Sequence, residues 1–336
     1  MRFDEFMDRA LYGPGGFYRG AGRAGRRGDF LTSPEVGPLF GAVVARALDG
    51  WWREAGSPGR FAFVEVGAGP GTLARSIKLA QPDVLRAGAL DYVAVEVGEL
   101  QRANHPDWVE SRADLPEAPI AGVIFANELL DNLPFRLAVF DGGWREAHVE
   151  PDGERWVEEL RAMEGSVPGF LPSRAPHGAR APVQDRAGAW LTDALARLEP
   201  GGRVVLADYV TARTAELAVR PWRDWLRTYR AHERGVHYLS AVGEQDITTQ
   251  VCLDQLVLAA GEPDAFRSQA QFLGRWGIDA LVEEGRRIWE AGAGRPSLEA
   301  MAARSRVREA EALLDPAGLG GFAVMEWTRA PEPFGA

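Results

Sequence analysis

Val64-Glu65-Val66-Gly67-Ala68-Gly69-Pro70-Gly71-Thr72 is an apolar, β-prone run that passes directly into three alternating glycines and then into a helix-forming stretch. Residues 61–67, FAFVEVG, have the continuous apolar character of a strand buried on both faces of a parallel sheet. Glycines at 67, 69 and 71 let the chain take positive φ and bring its backbone against a ligand, and the helix beginning at Thr72 offers unpaired N–H donors. A strand, a glycine turn and a helix in this order describe a nucleotide-type site.

The neighbouring segments extend the pattern. DYVAVEV (91–97) is a second strand ending in Glu96, which lies 25 residues beyond Gly71, where such folds place the acidic residue that bonds a ribose diol. AGVIFANELL (121–130), RVVLADYV (203–210) and GFAVMEWTR (321–329) supply further strands, with helices expected over about 34–53, 72–78, 99–104 and 187–198. Short connections and βα alternation predict an α/β fold, an open and mostly parallel Rossmann-like sheet. Asp141-Gly142 and Asp152-Gly153 are hairpin signals, so 137–160 reads as a β-meander insertion. The organisation expected is an N-terminal helical segment at 1–57 and a cofactor-binding core at 58–210. A mainly helical substrate-side lobe at 211–300 and a C-terminal strand segment at 301–336 complete it.

Finer spacing bears on which nucleotide binds. A dinucleotide fingerprint is G-x-G-x-x-G, whereas this turn is G-A-G-P-G with Glu65 two residues ahead of it, and Pro70 stands where a dinucleotide loop follows a pyrophosphate. An E-x-G-x-G-x-G loop followed by a carboxylate on the second strand is similar to the class I S-adenosylmethionine methyltransferase site. A nicotinamide or flavin site and a purely structural turn are the other readings. On the methyl-donor reading, Glu65, Gly67, Ala68, Gly69, Gly71, Thr72, Glu96 and Asn127 are the cofactor-binding candidates.

Ala126-Asn127-Glu128-Leu129-Leu130-Asp131-Asn132 forms a second constellation at the C-terminal end of the third strand, where open α/β sheets bind ligands. Asn127, Glu128 and Asp131 are therefore candidate catalytic residues; the competing reading is that Asn127 and Asp131 cap a following helix. Arg27-Gly28-Asp29-Phe30-Leu31-Thr32-Ser33-Pro34-Glu35 reads locally as a turn into a helix, with Ser33 as its cap. His232, near Trp222, Trp225 and Tyr229, reads as a structural histidine.

The chain has 336 residues and 38 basic against 48 acidic side chains, a net charge of −10 that argues against nucleic acid or anionic lipid as a partner. Its single cysteine, Cys252, excludes an internal disulfide or a thiolate zinc site, and no metal is expected. An acidic start and the lack of an apolar run of about 18 residues predict a cytoplasmic chain without membrane insertion.

Taken together, ALYGPGGFY (10–18), GDFLTSPEVGPLFG (28–41), VEVGAGPGTL (64–73), YVAVEV (92–97) and ANELLDNLPF (126–135) resemble the MidA-type methyltransferase family, whose mitochondrial members assist assembly of respiratory complex I by dimethylating an arginine. The resemblance continues through LRTYRAH (226–232), EQDITTQV (244–251), QAQFLGRWGI (269–278) and LLDPAGLGGF (313–322). It implies S-adenosylmethionine as cofactor and a pocket closed by the N-terminal segment and a helical insertion. It also implies a protein substrate presenting an arginine, such as a complex I subunit. It carries Gly67, Gly69, Gly71 and Glu96 over to the cofactor, and Asp29, Thr32, Glu35, Asn127, Glu128 and Asp131 to the pocket. The chain departs from the family pattern at Val210, after Asp208-Tyr209, and at Val251-Cys252-Leu253.

Methyl transfer from a sulfonium is mostly a matter of holding the nucleophile in line in a site that excludes water. A guanidinium is protonated and attacks poorly. Carboxylates such as Glu128 and Asp131, with Glu35 or Asp29, would grip it and accept its proton. A small-molecule N- or O-methyltransferase and a non-catalytic cofactor-binding chaperone are the alternatives.

Overall fold

A computed structural model describes residues 1–19, 32–117, 119–153, 155–230, 233–292 and 297–330. Its centre is a seven-stranded sheet of β1 (Phe61–Val66), β2 (Leu90–Val95), β3 (Glu110–Arg112), β4 (Gly122–Asn127), β5 (Arg203–Asp208), β6 (Ala265–Ser268) and β7 (Ala323–Thr328). The strands stand in the order β6-β7-β5-β4-β1-β2-β3. The five from β5 to β3 run parallel, and β7 runs antiparallel to both its neighbours. Chain order reverses between β1 and β4, so the crevice for a ligand opens outside Val66 and Asn127.

Period-two alternation along each strand feeds two separate cores. Phe63, Tyr92, Phe125 and Val205 face the helices Pro38–Glu54, Thr72–Ala80, Ile278–Gly292 and Leu298–Leu314. Val64, Ile124, Val204 and Leu206 face Asp185–Arg197 and Leu253–Ala260. The strands are apolar on both sides because helices cover both sides.

A third core lies beyond the sheet. The helix Phe3–Tyr12 buries Phe3, Phe6, Met7 and Leu11 against Leu137 and Val149 of the meander and against Trp225 and Ile247. The meander consists of Arg136–Phe140, Trp144–Asp152 and Arg155–Ala162, with Gly142 and Gly153 at positive φ in its turns. Arg180–Val183, within a stretch too rich in Pro and Gly to read as a strand, adds a fourth, edge strand to it. An edge tolerates Pro182, which has no N–H to give.

Three other expectations are corrected. The helix expected over 34–53 is two, Ser33–Val36 and Pro38–Glu54, because Pro38 pushes Gly37 out of helical geometry. Thr32, not Ser33, occupies the cap position, and Ser33 Oγ donates instead to Gln269 at 2.9 Å. The segment 211–300 is not mainly helical in its first half. Short strands occupy Val210–Thr211, Arg227–Arg230, Glu233–Arg234, Asp246–Thr248 and Val251–Cys252, all but Glu233–Arg234 carrying β-branched or aromatic residues. Among the described residues no helix is long and apolar enough to cross a membrane.

Candidate active site

After Val66 the chain turns through Gly67 (φ 73°), Gly69 (φ 52°) and Gly71 (φ 80°), a run of left-handed conformations that only glycine adopts at low cost. The turn starts one residue past the last ladder pair, Val66 with Val95. Val95 therefore accepts from both Gly67 and Ala68, at 3.0 and 3.1 Å, and Gly71 N–H closes the turn onto Ala68 at 2.9 Å. Gly69 N–H donates to Glu96 Oε2 at 3.0 Å. These four amides of the turn are therefore taken, and the free donors expected are those of the helix beginning at Thr72. A pyrophosphate needs free donors, and these four amides offer none.

Glu96 follows β2 and is nearly buried in the cavity wall. Its Oε1 accepts from Gly98 N–H at 2.7 Å. Two backbone donors fix the carboxylate, and each oxygen retains acceptor capacity for a diol. Glu65, on β1, accepts from the Tyr92 hydroxyl at 2.5 Å, and burial pushes its carboxyl up to about 8 against that bond. Thr72 Oγ1 donates to Glu35 at 2.5 Å and so ties the N-terminal segment to the first turn of the helix behind the glycines.

These groups line one cavity of about 510 Å³. Its walls are the ends of β1, β2 and β4, the N-terminal residues Tyr12, Tyr18, Thr32 and Glu35, and the helix Asp185–Arg197 through Arg186 and Trp190. That volume lies in the range of cofactor pockets. Glu65, Gly67, Ala68, Gly69, Thr72, Glu96, Asn127 and Glu128 all line it, while Gly71 stands just behind, against Pro106. Asp29 and His232 fall outside the described residues.

At the end of β4, Asn127 Nδ2 donates to Glu128 Oε1 at 2.9 Å, while Asn127 Oδ1 is buried without a partner. Glu128 takes φ +53°, costly for a side chain with a Cβ, and is anchored there by its own N–H on Ala207 at 2.8 Å. Burial, reinforced by Asp131, pushes its carboxyl up to about 8 against the bonds it receives from Asn127 and the Ser33 N–H.

Asp131 does not line the cavity. It is buried behind the wall, accepting from Thr248 Oγ1 at 2.6 Å, with its own carboxyl raised to about 6. Neither Asn127 nor Asp131 caps a helix; the turn Leu130–Asn132 has no side-chain cap.

Several neighbours of the cavity were not singled out individually in the sequence, although their stretches were quoted. Asp246 accepts from the Tyr18 hydroxyl at 3.1 Å and from Asn132 Nδ2 at 3.0 Å, and Tyr12 stacks on Tyr18 at 5.4 Å. Asp208 receives the Leu130 N–H at 2.9 Å and burial raises its pKa well above the usual carboxylate range. Tyr12 and Tyr18 lie in the quoted ALYGPGGFY stretch, whereas Asp246 is far away in sequence.

Glu35, Glu65, Glu96, Asp114 and Glu128 line the cavity, and none is ion-paired among the described residues; burial raises Glu65 and Glu128 to about 8, so these two are largely uncharged at neutral pH. The two arginines of the wall are paired with acidic residues that also line it, Arg186 with Asp8 at 2.8 Å and Arg197 with Asp193 at 2.7 Å. The orphaned Asn127 oxygen, the fixed Glu96 carboxylate and the acidic wall fit a cationic nucleoside such as S-adenosylmethionine.

An open parallel sheet with this cavity at its switch point defines a nucleoside-cofactor enzyme whose ligand is not held by phosphate. Residues 43–270 match the S-adenosyl-L-methionine-dependent methyltransferase family, and the chain belongs to it. A Burkholderia thailandensis protein, crystallised with S-adenosyl-homocysteine, shares the fold at a TM-score of 0.81 and 27% identity, over 99% of this chain and 89% of that one. The mitochondrial protein arginine methyltransferase NDUFAF7 of Mus musculus is 26% identical over 324 residues, 83% of this chain and 71% of its own. Its Drosophila melanogaster homologue is 31% identical over 176 residues, which span 44% of this chain and 40% of that protein. The cofactor is S-adenosylmethionine.

The cytoplasmic expectation is overturned, because these curated relatives are mitochondrial. A single cysteine excludes a disulfide in any compartment and therefore does not choose among them.

Proposed function

We propose that this chain is a protein arginine N-methyltransferase whose substrate is a subunit of respiratory complex I. The observation that carries the reading is Glu128, a half-buried carboxylate held at φ +53° in the wall of an acidic cofactor cavity, with its carboxyl pushed up to about 8. The names of the curated relatives support arginine as the acceptor; the complex I subunit rests on the sequence resemblance alone.

In this reading Glu65, Gly67, Ala68, Gly69, Gly71, Thr72, Glu96 and Asn127 seat the cofactor, with Glu96 on the ribose diol. Thr32 and Glu35 border the acceptor, Asn127 orients Glu128 through its 2.9 Å bond, and Asp131 braces the turn from behind. Residues 1–57 close the pocket over a core at 58–210. Bound S-adenosylmethionine supplies an electrophilic methyl on a sulfonium whose leaving group is neutral. Glu128 pairs with the guanidinium, aims one nitrogen at the methyl, and takes that nitrogen's proton as the N–C bond forms and the C–S bond breaks. A carboxyl whose pKa is near the working pH suits a proton acceptor.

The test is mass spectrometry of proteins from cells lacking the gene, incubated with S-adenosylmethionine and either the wild-type protein or Glu128→Gln. Methylarginine that appears only with the wild-type protein supports the reading. Methylation confined to other residues or to small molecules overturns it.

A further inference from the structure

Gly69 is held from both sides of its residue by two different segments. Its N–H donates to Glu96 Oε2 at 3.0 Å, and its carbonyl lies 2.9 Å from Nε2 of His105. The other ring nitrogen, Nδ1, is 2.8 Å from Ser111 Oγ. The Gly69 carbonyl can only accept, so Nε2 carries the hydrogen, and in the neutral ring Nδ1 then accepts from the serine hydroxyl.

The rest of the turn around His105 reinforces this contact. Arg75, on the helix after the glycines, donates to the Pro70 carbonyl at 2.8 Å and also to the Asn104 carbonyl. A Cβ on Gly71 would come within 2.9 Å of Pro106, so the two loops are in close contact. Arg102 donates to the Glu96 carbonyl at 2.6 Å, which joins the turn to the diol-binding carboxylate as well. His105 itself does not line the cavity.

We infer that His105 is a positioning residue of the cofactor site, clamping the Gly69 carbonyl so that the glycine turn keeps the shape that receives S-adenosylmethionine. This deepens the cofactor assignment and rests on it. Half-burial lowers the pKa of the imidazole, which favours the neutral ring. The charged groups that bear on it are Glu96, Arg75 and Arg102.

Gln and Asn separate the two bonds, because the Gln amide reaches as far as Nε2 and the Asn amide only as far as Nδ1. The probe is S-adenosyl-homocysteine, titrated by calorimetry into the full-length wild-type protein, His105→Gln and His105→Asn. Loss of a single hydrogen bond predicts about fivefold to tenfold weaker binding for His105→Asn, and binding within about twofold of wild type for His105→Gln. The thermal midpoints of both variants, read in parallel, should agree. Equal affinity of the two variants, or a loss of affinity that tracks a loss of thermal stability, overturns the clamp. A wild-type protein that fails to bind S-adenosyl-homocysteine overturns the cofactor assignment itself, and the clamp with it.

Discussion

Thr248 Oγ1 donates to Asp131 Oδ2 at 2.6 Å, joining the turn that follows β4 to the short strand Asp246–Thr248 across 117 residues of chain. That bond faces away from the cavity and leaves Glu128, three residues earlier, as the carboxylate of this turn that meets the ligand space. Two acidic residues equivalent in the sequence pattern thereby acquire different tasks.

Replacement of the two should separate accordingly. Glu128→Gln keeps the size and the Asn127 contact but removes the proton acceptor, so methyl transfer to arginine should fall by about 10²-fold or more. Its affinity for S-adenosyl-homocysteine should change little. Asp131→Asn still accepts from Thr248 and should retain methyl transfer within about tenfold of wild type. Single-turnover assays beside calorimetry check both; equal losses in the two variants would refute the division of roles.

The pH dependence of the rate follows from the same residue. Glu128 must be ionised to accept a proton, and its carboxyl titrates near 8. The kcat/KM for arginine methylation should therefore rise with pH up to that value, as set by the free enzyme. A profile flat from neutral pH upward would remove Glu128 from the role of base.

Stability should move the opposite way. Glu65 and Glu128 titrate near 8, Asp246 near 7 and Asp131 near 6, all raised first of all by burial. In each case the folded-state pKa lies above the unfolded one. The folded chain therefore holds protons that the unfolded chain has released, and stability is lost as pH rises between about 5 and 8. The thermal midpoint of the ligand-free protein should be several degrees higher near pH 5.5 than near pH 8.5, and Glu65→Gln should flatten the slope. A midpoint that climbs over this range would contradict the buried, protonated state of these groups.

The Thr72–Glu35 bond makes a prediction for the N-terminal segment. Thr72→Val removes the hydroxyl that Glu35 accepts from, at nearly constant volume. S-Adenosyl-homocysteine should then bind about threefold to tenfold more weakly, the cost of one ordinary hydrogen bond. Unchanged affinity would mean that the segment is held over the cavity by other contacts.

Much of this was legible in the sequence because it is local. The glycine turn, Glu96 and the strand-end Asn127 and Glu128 each lie within a few residues of a buried strand, and strand order then brings them to one crevice. What was not legible depends on distant pairings. Tyr18 meets Asp246 across 228 residues, and His105 meets Gly69 through a turn without any motif. The helical reading of 211–252 failed because that segment folds as short pairs whose partners, such as Arg227 with Thr248, are set by tertiary contact. The pairing of the turn's own amides was likewise invisible, because the carbonyl that takes the Gly67 and Ala68 N–H groups is that of Val95, on the neighbouring strand.

Calorimetric titration of the wild-type protein and Glu96→Ala with S-adenosyl-homocysteine, and of the wild type with NAD, addresses the foundation of these arguments. The structure predicts one S-adenosyl-homocysteine bound per chain, about 10-fold to 100-fold weaker binding in Glu96→Ala from loss of a charged acceptor, and no heat from NAD. Binding of NAD, or of S-adenosyl-homocysteine with equal strength to both proteins, would contradict it.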